Sequence, residues 1–113
     1  MDFSEYQKKS RVTALYPNLG DNLPYLALGI AGESGEVADK VKKFIRDSHF
    51  SSIKDLNADQ KADVAKELGD VLWYIAQIAT EFGYDLEEVA EMNIDKLYSR
   101  MDRGALHGSG DER

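Results

Sequence analysis

Only two prolines occur in the chain, Pro17 and Pro24, and both fall in one early stretch, YPNLGDNLPYLAL. Proline removes a backbone donor and breaks helix interiors, so the turn signals gather there and leave the rest of the chain free to be helical. The expected fold class is all-α, a bundle of about four helices. A first helix is expected from about Asp2 or Ser4 to Leu15, with Phe3, Tyr6, Val12 and Leu15 as its apolar positions. A second begins near Leu23 or Pro24, where proline is tolerated in a first turn, and runs to about Arg46. The polar, Ser-rich DSHFSSIKDLN reads as a loop of roughly ten residues. Asn57 stands three before Gln60, and Asp85 three before Glu88, so both pairs resemble capping boxes that start the third and fourth helices. Gly83 closes the third in the left-handed conformation, and the fourth reaches about Arg103.

The length of 113 residues suits one domain, 1–113, with a glycine-rich, flexible segment from about 104 to 113. With 21 acidic against 14 basic residues the net charge is -7, which argues against nucleic acid as a partner, since phosphate backbones are held by excess positive charge. There is no cysteine, so a disulfide framework and a thiolate zinc site are both excluded. MDFSEYQKKS has no apolar leader region, and no run approaches the roughly 18 apolar residues of a membrane span. A cytoplasmic protein without membrane contact is expected.

Two acidic pairs stand out. Glu33 and Glu36 are three apart in AGESGEVADKVKKF, and Glu67 and Asp70 repeat that spacing in AKELGDVLWYIAQI. On a helical wheel Glu33 falls in the apolar stripe of Leu26, Ile30, Val37 and Phe44, with Glu36 to one side and Lys40 between the two. Glu67 borders the stripe of Val64, Leu68, Val71, Ile75, Ile78 and Phe82, and Asp70 lies further out. Packed antiparallel, two such helices aim four carboxylates at one spot. Like charges repel, and a partly buried carboxylate without a partner costs several kcal/mol, so something positive has to offset it. One answer is ordinary pairing with Lys40, Lys43 or Lys66. The other is a site for hard divalent cations such as Mg²⁺, which takes oxygen ligands and completes its shell with water and phosphate.

Other metal chemistries fit less well. His49 and His107 have Arg46 and Gly104 three before them, so the Glu-x-x-His pattern of a di-iron bundle is missing. DLNADQKADVAK imitates the start of an EF-hand loop, then puts Gln60 where glycine is needed and Lys66 where the glutamate belongs. Downstream, Asn93, Lys96 and Arg100 share one helical face and read either as a solvated surface or as a grip for phosphate oxygens. Gly29, Gly32 and Gly35 weaken the second helix by about 1 kcal/mol each against alanine, which suits a close approach by another helix or a ligand. Trp73 lies opposite the main stripe, so VLWYIA is apolar nearly all round, as expected of a helix buried against a partner subunit.

GESGEVADKVKK, then KELGDVLWYIAQIATEFG, then NIDKLYSR resembles the MazG-like branch of the all-α nucleoside triphosphate pyrophosphohydrolases, whose signature is ExxE, a spacer and ExxD. The likeness extends to FSEYQKKSRVTALYP at the start and HGSGDER at the end. It implies a helical bundle assembled as a homodimer or homotetramer. It also implies Mg²⁺-dependent cleavage of a nucleoside triphosphate, NTP or dNTP, between its α and β phosphates, with Mn²⁺ as an alternative ion. By matching motif, Glu33, Glu36, Glu67 and Asp70 become metal ligands, with Glu33 or Glu36 acting instead as general base. Asn93, Lys96 and Arg100 become phosphate-side contacts, Lys40 borders the substrate, and Arg113 is expected to reach phosphate from a segment that folds over the nucleotide. The 30 residues between Glu36 and Glu67 make a long spacer. Two other readings share these residues: a specialised relative, dUTPase-like or acting on phosphoribosyl-ATP, and a helical interaction module without turnover.

Overall fold

The computed structural model describes residues 1–113 and is all-α: α1 (Phe3–Arg11), α2 (Leu23–Ser48), α3 (Ala58–Phe82) and α4 (Leu86–Asp102), with one 3₁₀ turn at Ile53–Asp55. Local chemistry accounts for most helix ends. Asn22 starts α2 by accepting from the Tyr25 amide at 3.2 Å, and Pro24 sits in the first turn. Asn57 and Gln60 make the reciprocal capping bonds at 2.8 and 2.9 Å, and Gly83 closes α3 at φ 79°. The Ser-rich connection is more ordered than a plain loop: Ser52 and Asp55 form their own capping box around the 3₁₀ turn. There the Asp55 carboxylate accepts from the amides of Ser51 and Ser52, which hold it below the usual carboxylate range. Asp55, Asn57 and Gln60 are therefore all engaged in capping.

Two helix ends differ from the pattern in the sequence. Helix α1 stops at Arg11 instead of Leu15, because the Ser10 and Thr13 hydroxyls bond back to the carbonyls of Gln7 and Ser10 and the last turn tightens. Val12 and Leu15, expected on its apolar side, are 80% and 89% exposed, and its buried residues are Gln7 and Ser10. Asp85 precedes α4 but makes no side-chain cap. The Leu86 amide donates instead to Gln7 Oε1 at 2.7 Å, so α1 supplies the cap for α4.

Helices α2 and α3 form an antiparallel hairpin, with Gly29 against Tyr74 near one end and Lys40 against Asp63 and Glu67 near the other. Helix α1 packs on α3 and α4; α4 packs on α1 and α3 and stays clear of α2. A groove is thereby left between α2 and α4, with α3 as its floor. The centre of the core is Ala14, Tyr16 and Leu26, with Trp73, Tyr74 and Ile78 against them. Trp73 donates to Thr13 Oγ1 at 2.7 Å and meets Tyr16 edge-on at 6.4 Å. The far face of α3 thus meets the chain's own α1–α2 connection, which partly covers the apolar run VLWYIA.

Candidate metal centre

Because α2 and α3 run antiparallel, Glu33 faces Glu67 and Asp70. One carboxylate oxygen from each of the three lies within 4.8 Å of the others, close enough to share an ion. Partial burial, and then Asp70, Glu67 and Glu36, push the Glu33 carboxyl above its usual range. Glu36 is exposed and remains outside the three, near enough for its charge to be felt by Glu33 and Lys40. Lys40 supplies positive charge: its Nζ bonds Glu67 at 3.0 Å and the Asp63 carbonyl at 3.1 Å. The hydrogen bond to Glu67 raises the lysine pKa and keeps it an ammonium. Hard oxygen donors with so little cationic compensation fit a divalent ion such as Mg²⁺.

Two tyrosines, Tyr6 and Tyr74, feel the charge of these carboxylates. Burial, and then the negative charge of Asp70, raise the Tyr6 phenol; burial, Tyr25, Glu33 and Asp70 raise that of Tyr74. Tyr74 reaches this place by lying against the α2 backbone at Gly29, where any Cβ would overlap its ring. Gly32 and Gly35 have open space instead, so the close approach accounts for one glycine of the three.

The groove between α2 and α4 encloses a cavity of about 540 Å³ lined by Ile30, Ile75, Ile78, Phe82 and Met92, with Asn93 and Lys96 at its edge. Ile30 lies one turn before Glu33 on α2, so carboxylates and groove share a wall. Arg100, one turn beyond Lys96, is 4% exposed, and its Nη2 donates to the Asp111 carbonyl at 2.9 Å and to Oδ1 at 3.3 Å. Lys96 Nζ meets the same Oδ1 at 3.4 Å. Arg113 is turned inward on its own segment, donating to the carbonyls of Ala105, Leu106 and Gly110.

The same ordered residues are matched by a family model, the MazG nucleotide pyrophosphohydrolase domain, over residues 21–104. The chain belongs to that family. The match takes in α2, α3 and α4, and hence both acidic pairs and the cations of α4; α1 and most of the segment after α4 lie outside it. Among relatives, this MazG-family chain is 44% identical over 113 residues to the Gene 37 protein of Mycobacterium phage L5, covering 96% of each. It is 31% identical over 81 residues to the Uncharacterized protein YvdC of Bacillus subtilis (strain 168), covering 70% of this chain and 76% of the relative. No solved structure gives a significant match.

Proposed function

We propose that this MazG-family chain hydrolyses nucleoside triphosphates between the α and β phosphates, yielding the monophosphate and pyrophosphate with Mg²⁺. The observation that carries this reading is the meeting of Glu33, Glu67 and Asp70 beside an apolar groove with Asn93 and Lys96 at its edge. The carboxylate oxygens and the cations suit a metal-bound phosphate chain, and the apolar slot suits the base. In this reading Glu33, Glu67 and Asp70 hold the ion, and Mn²⁺, another hard cation, substitutes for Mg²⁺. When bound, such an ion lowers the pKa of water and neutralises phosphoryl charge.

The chain's own residues do the rest. Glu36, outside the ligand cluster, takes a proton from the attacking water. Lys40 orients Glu67, while Asn93, Lys96 and Arg100 draw the phosphates along α4. The groove holds the base, and the reaction takes place in the cytoplasm. Release of pyrophosphate from the common NTPs and dNTPs, with and without Mg²⁺, tests the proposal. Absence of Mg²⁺-dependent release from all of them rejects it, and a single strongly preferred nucleotide assigns the chain to a specialised branch.

The active form in this proposal is a homodimer or homotetramer. Accessible surface is 8019 Å², whereas a folded monomer of 12.7 kDa exposes about 6,200 Å². The radius of gyration is 17.0 Å against about 13 Å for a compact chain of this length. The surplus of about 1,800 Å² is the size one subunit buries in an obligate dimer. Light scattering checks it; a monomer mass at micromolar concentration contradicts it.

A further inference from the structure

Arg100 is the most deeply buried cation of the chain, and its hydrogen-bond acceptors both belong to Asp111. Its Nε has no acceptor at all. A buried guanidinium is costly unless its donors are satisfied, and the counter-ion here is a carboxylate 83% exposed to water, a poor partner for a desolvated charge. Lys96 converges on the same Asp111 oxygen and also edges the apolar groove. Two cations aimed at one oxygen, one of them with a donor to spare, make a subsite for an anion with more oxygens than a carboxylate has.

The segment that carries Asp111 is bonded mostly within itself. Arg113 ties the carbonyls of Ala105, Leu106 and Gly110 together, closing residues 105–113 into a loop. That loop leaves α4 through Gly104, whose φ of 67° lies where glycine rotates freely and other residues do not. Two further contacts hold its base to α4: Arg103 Nη2 donates to the Arg113 carbonyl at 2.8 Å and the Ala105 amide to the Arg100 carbonyl at 2.7 Å.

We infer that Asp111 is an internal plug for an oxyanion subsite formed by Lys96 and Arg100, displaced when a phosphate group enters, so that residues 105–113 restrain ligand binding. The inference rests on the phosphate-side role proposed for α4. A phosphate supplies three oxygens and more charge than the carboxylate it replaces, including an acceptor for the idle Nε. Occupancy by Asp111 lowers apparent affinity by the fraction of molecules in which the subsite is closed.

The test is calorimetric titration of the full chain, freed of metal, with inorganic pyrophosphate. Asp111→Asn should bind pyrophosphate about five-fold more tightly than the wild type, and the gain should vanish in Asp111→Asn/Lys96→Ala. A chain ending after Leu106 should show the same gain by an independent route. Unchanged or weaker affinity in Asp111→Asn, or no binding by either protein, overturns the plug; a lowered melting temperature with no gain in affinity marks Asp111 as merely structural. Pyrophosphate binding is read apart from turnover. A tightened Asp111→Asn in a protein that hydrolyses nothing sinks the enzymatic reading alone, and Mg²⁺-dependent hydrolysis with unmoved affinity sinks the plug alone.

Discussion

Helix α3 carries acidic groups on two faces, and they are treated in opposite ways. Toward α1, the Glu81 side chain is 6% exposed and accepts from the Tyr16 hydroxyl and from the amides of Gly20 and Asn22, with Arg11 at 3.7 Å. Its neighbours are equally well matched: Gln77 bonds Ser10 and Arg11, and Gln7 bonds Thr80, Tyr84 and Leu86. Toward α2, Glu67 has Lys40, while Glu33 and Asp70 face mainly other carboxylates. Burial alone therefore does not mark function. A satisfied carboxylate staples a loop, whereas a carboxylate surrounded by its own kind leaves negative charge unbalanced, which the proposed ion would offset.

Breaking each face separately should give different failures. Asp70→Asn should cut turnover by at least about a hundredfold while the helical fold remains, as loss of one charge stabiliser does at other catalytic centres; near-wild-type pyrophosphate release in this variant would remove the centre from contention. Glu81→Ala should instead cost about 1–3 kcal/mol of stability, because the Tyr16 hydroxyl and the amides of Gly20 and Asn22 lose their acceptor and Arg11 loses a counter-ion. Denaturant unfolding measures it, and a loss below about 1 kcal/mol would show the staple to be idle.

Smaller perturbations sharpen the contrast. Gly29→Ala should destabilise by about 1–3 kcal/mol through overlap with Tyr74, whereas Gly32→Ala, in open space, should stabilise by up to about 1 kcal/mol. Thermal melts of the pair that move the same way would contradict the docking of Tyr74. For the metal-free protein, the raised Glu33 carboxyl binds its proton more tightly folded than unfolded. Its penalty is absent at low pH and grows as pH rises from the ordinary glutamate range through the raised folded value. The melting temperature of Glu33→Gln should thus gain on the wild type as pH rises, and a pH-independent difference would deny the carboxylate cluster.

Much of this was legible because its causes are local. Pro24, the Asn57–Gln60 pair and Gly83 act within one turn of themselves, so the ends they govern stand where their spacing predicts. The acidic pairs were legible too, since helical period and antiparallel packing bring Glu33 to Glu67 and Asp70, and the wheel already set Glu36 to one side of the stripe, where it stays outside the three. What stayed hidden depends on distant partners. Asp85 looks like a cap, but the acceptor comes from Gln7, and the bond from Trp73 to Thr13 in the α1–α2 connection has no local cue. One cue was available: Trp73, Gln77 and Glu81 recur every four residues, a polar stripe on an apolar helix that calls for polar partners in the same chain.

The bond from Gln7 to the Leu86 amide spans 79 positions, and this has a consequence for the order of folding. The α2–α3 hairpin closes over a short connection and can form early, while α4 receives its cap only when the two ends of the chain meet, a late and entropically costly closure. On a ribosome adding about 5–20 residues per second, α1 emerges roughly 4–15 s before its partner exists. During that interval Gln7 and Ser10 keep the inner face of α1 polar and solvated, so this helix can wait in water without exposing a sticky surface.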